Sequence, residues 1–114
     1  MIVSDAIERA ESIYKYSGSS EQLILWLSEL EERIALEVLR KEPKGVLSII
    51  SELDVPNAYA ELYPFYLVMK GAFAEGKTDR YNNYARCFER AYSEYIDYVN
   101  RTRQPEKTVY YKIL

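Results

Sequence analysis

Between Thr78 and Arg101 the chain reads TDRYNNYARCFERAYSEYIDYVNR, without a proline or glycine. Tyr81, Tyr84, Phe88, Ala91, Tyr95 and Tyr98 recur at alternating steps of three and four, which places them on one stripe of a helix. Ala85, Tyr92 and Val99 widen the stripe, while Asp79, Arg80, Arg86, Glu89, Arg90, Glu94 and Asp97 lie mostly outside it. Thr78 suits the N-cap and Asp79 the first turn, where negative charge meets the helix dipole favourably. The pattern predicts a long amphipathic helix whose seam is tyrosine rather than leucine. Each ring has an apolar body and a hydroxyl that needs a partner or water, so such a seam fits a core or a half-wet contact. Tyr81 to Phe88 read as packing on the second and third helices, and Tyr92 to Tyr98 as a surface half covered by a neighbour.

The remaining helices follow from caps and breaks. Ser4 can cap a first helix to about Lys15, with Ala6, Ile7, Ala10, Ile13 and Tyr14 on its apolar face. Ser17-Gly18-Ser19-Ser20 is the break, where Gly18 is free to take a positive φ. A second helix, Glu21 to about Arg40, carries Leu23, Leu27, Leu30, Ile34 and Val38, with Ser19 and Gln22 as a capping box. Trp26 reads as a core anchor. Glu29, Glu31 and Glu32 read as a solvated face, and Glu29 with Arg33 as an i,i+4 pair. Pro43 and Gly45 close this helix.

Residues 43–57 form an irregular connector. Val46 to Ile50 fit a short strand or a helical turn, because the run is too short for periodicity to decide. Asn57 can cap a third helix, ending near Gly76; Pro64 either kinks it or falls at the start of its regular part. Gly76-Lys77 is a short turn, so the third and fourth helices should lie antiparallel. Pro105 ends the long helix, and 103–114 read as an extended tail of strand-like composition. That tail either folds back or joins a neighbouring subunit. The predicted architecture is all-α: a bundle of about four helices over 1–102, with a long last helix, plus the tail over 103–114.

Composition narrows the chemistry. The chain has 114 residues, no histidine and one cysteine. Histidine catalysis, histidine metal sites and an intrachain disulfide are thereby excluded. Cys87 reads as a buried structural thiol. The glycines form no phosphate loop, no apolar run approaches membrane length, and no carboxylates from different elements are marked as convergent. No enzyme, cofactor or membrane partner is expected. Residues 1–57 carry 11 acidic and 6 basic side chains, and residues 58–114 carry 7 and 9. Opposed halves favour head-to-tail contact between copies, which gives rings or filaments. Tyr92, Tyr95, Tyr98, Tyr110, Tyr111 and Ile113 are the candidate subunit interface.

Several segments occur in an order that resembles a known family. They are Trp26-Leu-Ser-Glu-Leu-Glu with Ile34; Val55-Pro56 with Tyr59-x-Glu-Leu-Tyr63; Tyr81-Asn82-Asn83; Phe88, Ala91-Tyr92 and Tyr95; and Asn100-Arg101-Thr102 with Pro105. The set is similar to the small head–tail connector, or head-completion adaptor, proteins of tailed bacteriophages and prophages. The resemblance implies a non-enzymatic virion protein, made in the bacterial cytoplasm and placed at the head–tail junction. It implies a homo-oligomeric ring matching the portal's symmetry. Such a ring contacts the portal and a tail-proximal connector protein, and DNA passes through it without sequence readout. The alternative is a small helical regulatory or nucleic-acid-binding protein. Pro64 and the short connector between Pro43 and Pro56 depart from what the resemblance leads one to expect.

Overall fold

The computed structural model describes the backbone of residues 1–113 and the side chains of residues 1–103. Its elements are α1 (Val3–Ile13), α2 (Ser20–Arg33), a π-helical turn (Ile34–Leu39), a 3₁₀ turn (Asn57–Tyr59), α3 (Leu62–Ala74) and α4 (Thr78–Ile113). The all-α architecture with a long last helix is the one expected. Among the described residues the sole β pairing is an isolated bridge between Ile2 and Glu52. A strand over 46–50 is therefore absent.

Helix ends show how local chemistry and tertiary contact divide the work. Ser19 caps α2, its hydroxyl accepting from Gln22 N–H at 3.2 Å. α1 begins at Val3, ahead of the expected Ser4 cap, because the connector completes its first turn. Val3 N–H donates to Ser51 O at 3.0 Å and Ser4 N–H to Ile49 O at 2.9 Å. These are orphan donors that a helix start cannot satisfy by itself. Pro64 lies in the first turn of α3, where a missing N–H costs nothing, so the helix is not kinked.

The second helix ends differently from the expectation. It widens into the π turn and stops at Arg40, which takes φ 54 and ψ 51. Lys41 N–H then donates back to Ala35 O at 2.9 Å, so a left-handed residue closes the helix three residues before Pro43. Arg103 of α4 donates to Val38 O at 2.7 Å, satisfying another terminal carbonyl. Gly76, at φ 70, provides the left-handed residue between α3 and α4. Gly18 has a different role from the one expected: a Cβ there would sit 2.3 Å from the Tyr16 ring. It is glycine for proximity, not for positive φ.

α3 and α4 run antiparallel, and aromatic pairs mark their length. Phe73 meets Tyr81 at 5.3 Å between ring centroids, Tyr66 meets Phe88 at 5.1 Å, and Tyr59 meets Tyr98 at 4.7 Å. Tyr84 meets Tyr14, which caps the C-terminus of α1, at 6.0 Å. The start of the tyrosine stripe thus packs on α3, as expected, and also on Tyr14 beyond the end of α1. Tyr14 and Ser17 both donate to the Glu75 carboxylate, tying the α1–α2 loop to the end of α3. The Ser17 and Tyr14 hydrogen bonds hold that carboxyl down to about 2.

The second half of the stripe corrects the expectation of a half-covered surface. Tyr92 is 7 % exposed and Tyr95 2 %. Both belong to the core with Phe88 and Val99. Phe88, Tyr92, Tyr95 and Val99 keep one face of α4 inward, and the extended tyrosine ring buries without stranding its body in water. Cys87 is exposed, not buried, because it sits one step off that face. The bounds of α4 run from Thr78 to Ile113, and most of the tail expected over 103–114 lies outside the described side chains. The placement of Tyr110, Tyr111 and Ile113 lies outside the described side chains.

Two outcomes test this packing by urea denaturation. Tyr95→Ala is expected to lower the unfolding free energy by about 3–5 kcal/mol, the range for removing a buried large aromatic. Arg40→Gly is expected to hold or raise stability by up to about 1 kcal/mol, whereas Arg40→Val loses about 1–2 kcal/mol, since a β-branched residue resists the left-handed region.

Candidate interaction surface

The connector has no regular structure, yet a buried polar network fixes it in place. Glu31 projects from α2 at a step of four after Leu27 and three before Ile34, so it falls within the apolar stripe and is 3 % exposed. Its Oε2 accepts from Asp54 N–H at 2.9 Å, and its Oε1 accepts from the Tyr63 hydroxyl at 2.5 Å. The same Tyr63 oxygen accepts from Val55 N–H at 3.0 Å. Two consecutive connector amides are thus held by one carboxylate and one phenol from two helices. This corrects the reading of Glu31 as solvated; Glu29 and Glu32 are exposed as expected. Arg33 pairs with Glu37 at 3.1 Å, not with Glu29.

Electrostatics follow from this placement. Burial pushes the Glu31 carboxyl above the usual carboxylate range, against the pull of the Tyr63 and Asp54 hydrogen bonds. Burial and the neighbouring Glu31 push the Tyr63 phenol up strongly. Burial also acts to raise Asp54, but Lys44 at 3.0 Å and Lys41 at 3.1 Å outweigh it and hold that carboxyl below its ordinary value. A second anchor lies further up the loop. Ser28 Oγ accepts from Leu47 N–H at 3.1 Å and donates to Ile24 O at 2.8 Å, while the Leu47 side chain is buried.

What these anchors hold outward is apolar. Ser51 N–H donates to Ser48 O at 3.1 Å, and Ser48 N–H to Ser51 Oγ at 2.9 Å. Ile49 and Ile50 are the two corners of that turn, so their side chains point away from the body. Val46 is 79 % exposed, Ile50 76 % and Ile49 51 %. Three branched aliphatic residues within five positions make the most concentrated exposed apolar feature among the described residues. Their signal in the sequence was the apolar run itself, whose lack of period hid which residues faced out.

A second feature lies between the 3₁₀ turn, the start of α3 and the middle of α4. Ala58, Tyr59, Phe65 and Ala91 line a groove of about 320 Å³, with Glu61, Arg90 and Glu94 among its charged borders and Cys87 alongside. Of the expected interface residues, Tyr92 and Tyr95 are core. Tyr98 is half-buried on Tyr59, whose ring lines the groove. Searches against protein families, curated proteins and solved structures find no match to this chain.

The network makes two further predictions. Tyr63→Phe leaves Val55 N–H and one Glu31 oxygen without partners, and is expected to cost about 1–3 kcal/mol in a denaturation series. The sign of the Glu31 effect is set by its raised folded-state value. Its contribution to stability is present below the unfolded value of 4.5 and is lost as pH rises through the folded value. Glu31→Gln removes that titration, so the substituted chain should lose less stability than the parent on going from pH 4.5 to pH 7.

Proposed function

We propose that this chain is a structural assembly protein of the head–tail connector kind: a subunit of a ring that sits below a phage portal and receives the next tail-proximal protein. The observation that carries the reading is the fixed loop at 46–50, an aliphatic tip held out by a buried network on an otherwise helical body. Contiguous exposed apolar side chains on a folded domain mark contact surfaces. Fixing the loop before contact lowers the ordering cost of association. The ordered resemblance of residues 26–105 to that family names the kind of assembly, and the opposed charge of the two halves suits contact between copies. In this reading the ring extends the DNA channel, and the protein performs no chemistry.

The test is light scattering and electron microscopy of the purified full chain, alone and mixed with a portal complex. The expected result is concentration-dependent oligomers that close into rings on the portal. Absence of both rings and portal binding overturns the reading. Duplex DNA binding with a steep salt dependence would instead favour a small nucleic-acid-binding regulator.

A further inference from the structure

We infer that the outer face of α2 is a docking strip for a basic amphipathic helix of another protein, recognised through Leu25, Glu29, Glu32 and Leu36. The inference goes beyond the connector reading and does not depend on it.

Those four positions fall at steps of four, three and four, the spacing of one seam along a helix. All four face solvent, whereas Trp26, Leu27, Leu30 and Ile34 between them are buried. Leu25 is 46 % exposed and Leu36 56 %, so both ends of the seam are aliphatic. The π turn does not interrupt it, since Ile34, Ala35 and Val38 go inward there and Leu36 stays out. Exposed Val46 widens the strip. The amide of the next residue, Leu47, donates to Ser28 Oγ, one helical turn from both Leu25 and Glu32. A single exposed leucine is ordinary, but two on one seam with a valine beside them form a contact stripe. Leu25 and Leu36 lie eleven residues apart, which is about 16 Å, or three turns of helix.

Charge says what covers the strip. Glu29, Glu32 and Glu21, one turn before Leu25, make no ion pair among the described residues. The cations flanking α2 are engaged elsewhere. Arg33 pairs with Glu37 at 3.1 Å and lies over the Tyr92 ring, and Lys70 lies over Trp26 and Tyr66. Lys41 and Lys44 both hold Asp54. The strip therefore presents a negative centre between two aliphatic ends. Its complement is a helix with two aliphatic residues about three turns apart and Lys or Arg between them, an anchor spacing that helical ligands commonly use. Steps of four, three and four are the same from either end, so the partner fits in both directions. The same carboxylates repel nucleic acid and anionic lipid, and they set like charges together if a second α2 approaches. Across the seam the ion pairs fix register and choice of partner more than affinity. So few side chains cover less than the roughly 800 Å² per partner of a stable interface, which makes the contact a transient one.

The test is fluorescence anisotropy of the full-length chain with two labelled alanine-based helical peptides that carry leucines at the two end positions of the same spacing. One peptide has lysines at the two middle positions and the other has glutamates. The lysine peptide is expected to bind with a Kd below about 100 μM at low salt and to weaken as salt is raised, while the glutamate peptide does not bind. Glu29→Lys with Glu32→Lys should weaken the lysine peptide at least about tenfold and bind the glutamate peptide instead. Leu25→Ser with Leu36→Ser should also weaken it at least about tenfold. Glu8→Lys with Glu11→Lys, on the exposed side of α1, changes net charge equally and should leave binding within about twofold. Circular dichroism checks that each variant is folded, and the swap to the glutamate peptide shows a working strip in the reversed variant. The inference is overturned if the lysine peptide does not bind up to about 1 mM, if the α1 variant weakens it as much as the α2 reversal, or if the serine variant binds as the wild type does. It is overturned as well if sedimentation velocity shows self-association of the wild type that the α2 reversal abolishes, because a second copy then covers the strip.

Discussion

The structure depends on one buried acid. Glu31 enters the apolar seam of α2 and makes up for its own desolvation only by collecting donors from elsewhere, Asp54 N–H and the Tyr63 hydroxyl. Tyr63 in turn has a use for its oxygen, which receives Val55 N–H. Each member satisfies another, so the network is complete or fails as a unit. An isosteric apolar pair would pack α2 on α3 as well, but would leave the connector amides without acceptors. The acid therefore serves placement of the loop more than net stability. The network fixes the connector at residues 54 and 55, on the C-terminal side of the tip at 46–50.

The abundance of tyrosine has a related logic. Rings from α3 and α4 alternate along the hairpin, where a flat side chain can fill the space between helices and still reach a polar atom at its far end. Tyr63 and Tyr14 both use that reach, to Glu31 and Glu75. Tyr92 uses the body of its ring, lying under the Arg33 guanidinium at 5.1 Å, and its buried hydroxyl has no hydrogen-bond partner among the described residues. The seam is therefore a core in which Tyr63 and Tyr14 find acceptors for their polar ends and Tyr92 does not.

Much of this was legible in the residues. The stripe of α4, the Ser19 cap, the turn at Gly76 and the all-helical class follow from period and local chemistry. What was not legible depends on contacts between distant segments. The Glu at position 31 sat in plain view within the Leu27–Ile34 stripe, but its neighbours in sequence, Glu29 and Glu32, suggested a solvated run. Its true partners come from residues 54 and 63. Arg40 carries no sign that it will adopt a left-handed conformation, because that choice is made by the π turn before it and Arg103 across from it. Tyrosine composition could not say which hydroxyls would meet water, and so the split between core and surface along α4 was placed wrongly. Val46, Ile49 and Ile50 were seen only as an aperiodic run, since their outward aim comes from the Ser48–Ser51 turn.

The joint between the connector and the first turn of α1 also bears on the order of folding. Val3 and Ser51 are 48 positions apart, and their hydrogen bond supplies what α1 lacks at its start. A helix of 11 residues is marginal in isolation, so α1 gains its cap only after a long loop has closed. The α3–α4 hairpin, joined by a short turn, has no such delay and can form first from local contacts. α1 and the connector should then arrive together on that hairpin as one cooperative unit. The tip would be the last part of the molecule to take its final aim, so a chain competent for contact is also one that has finished folding.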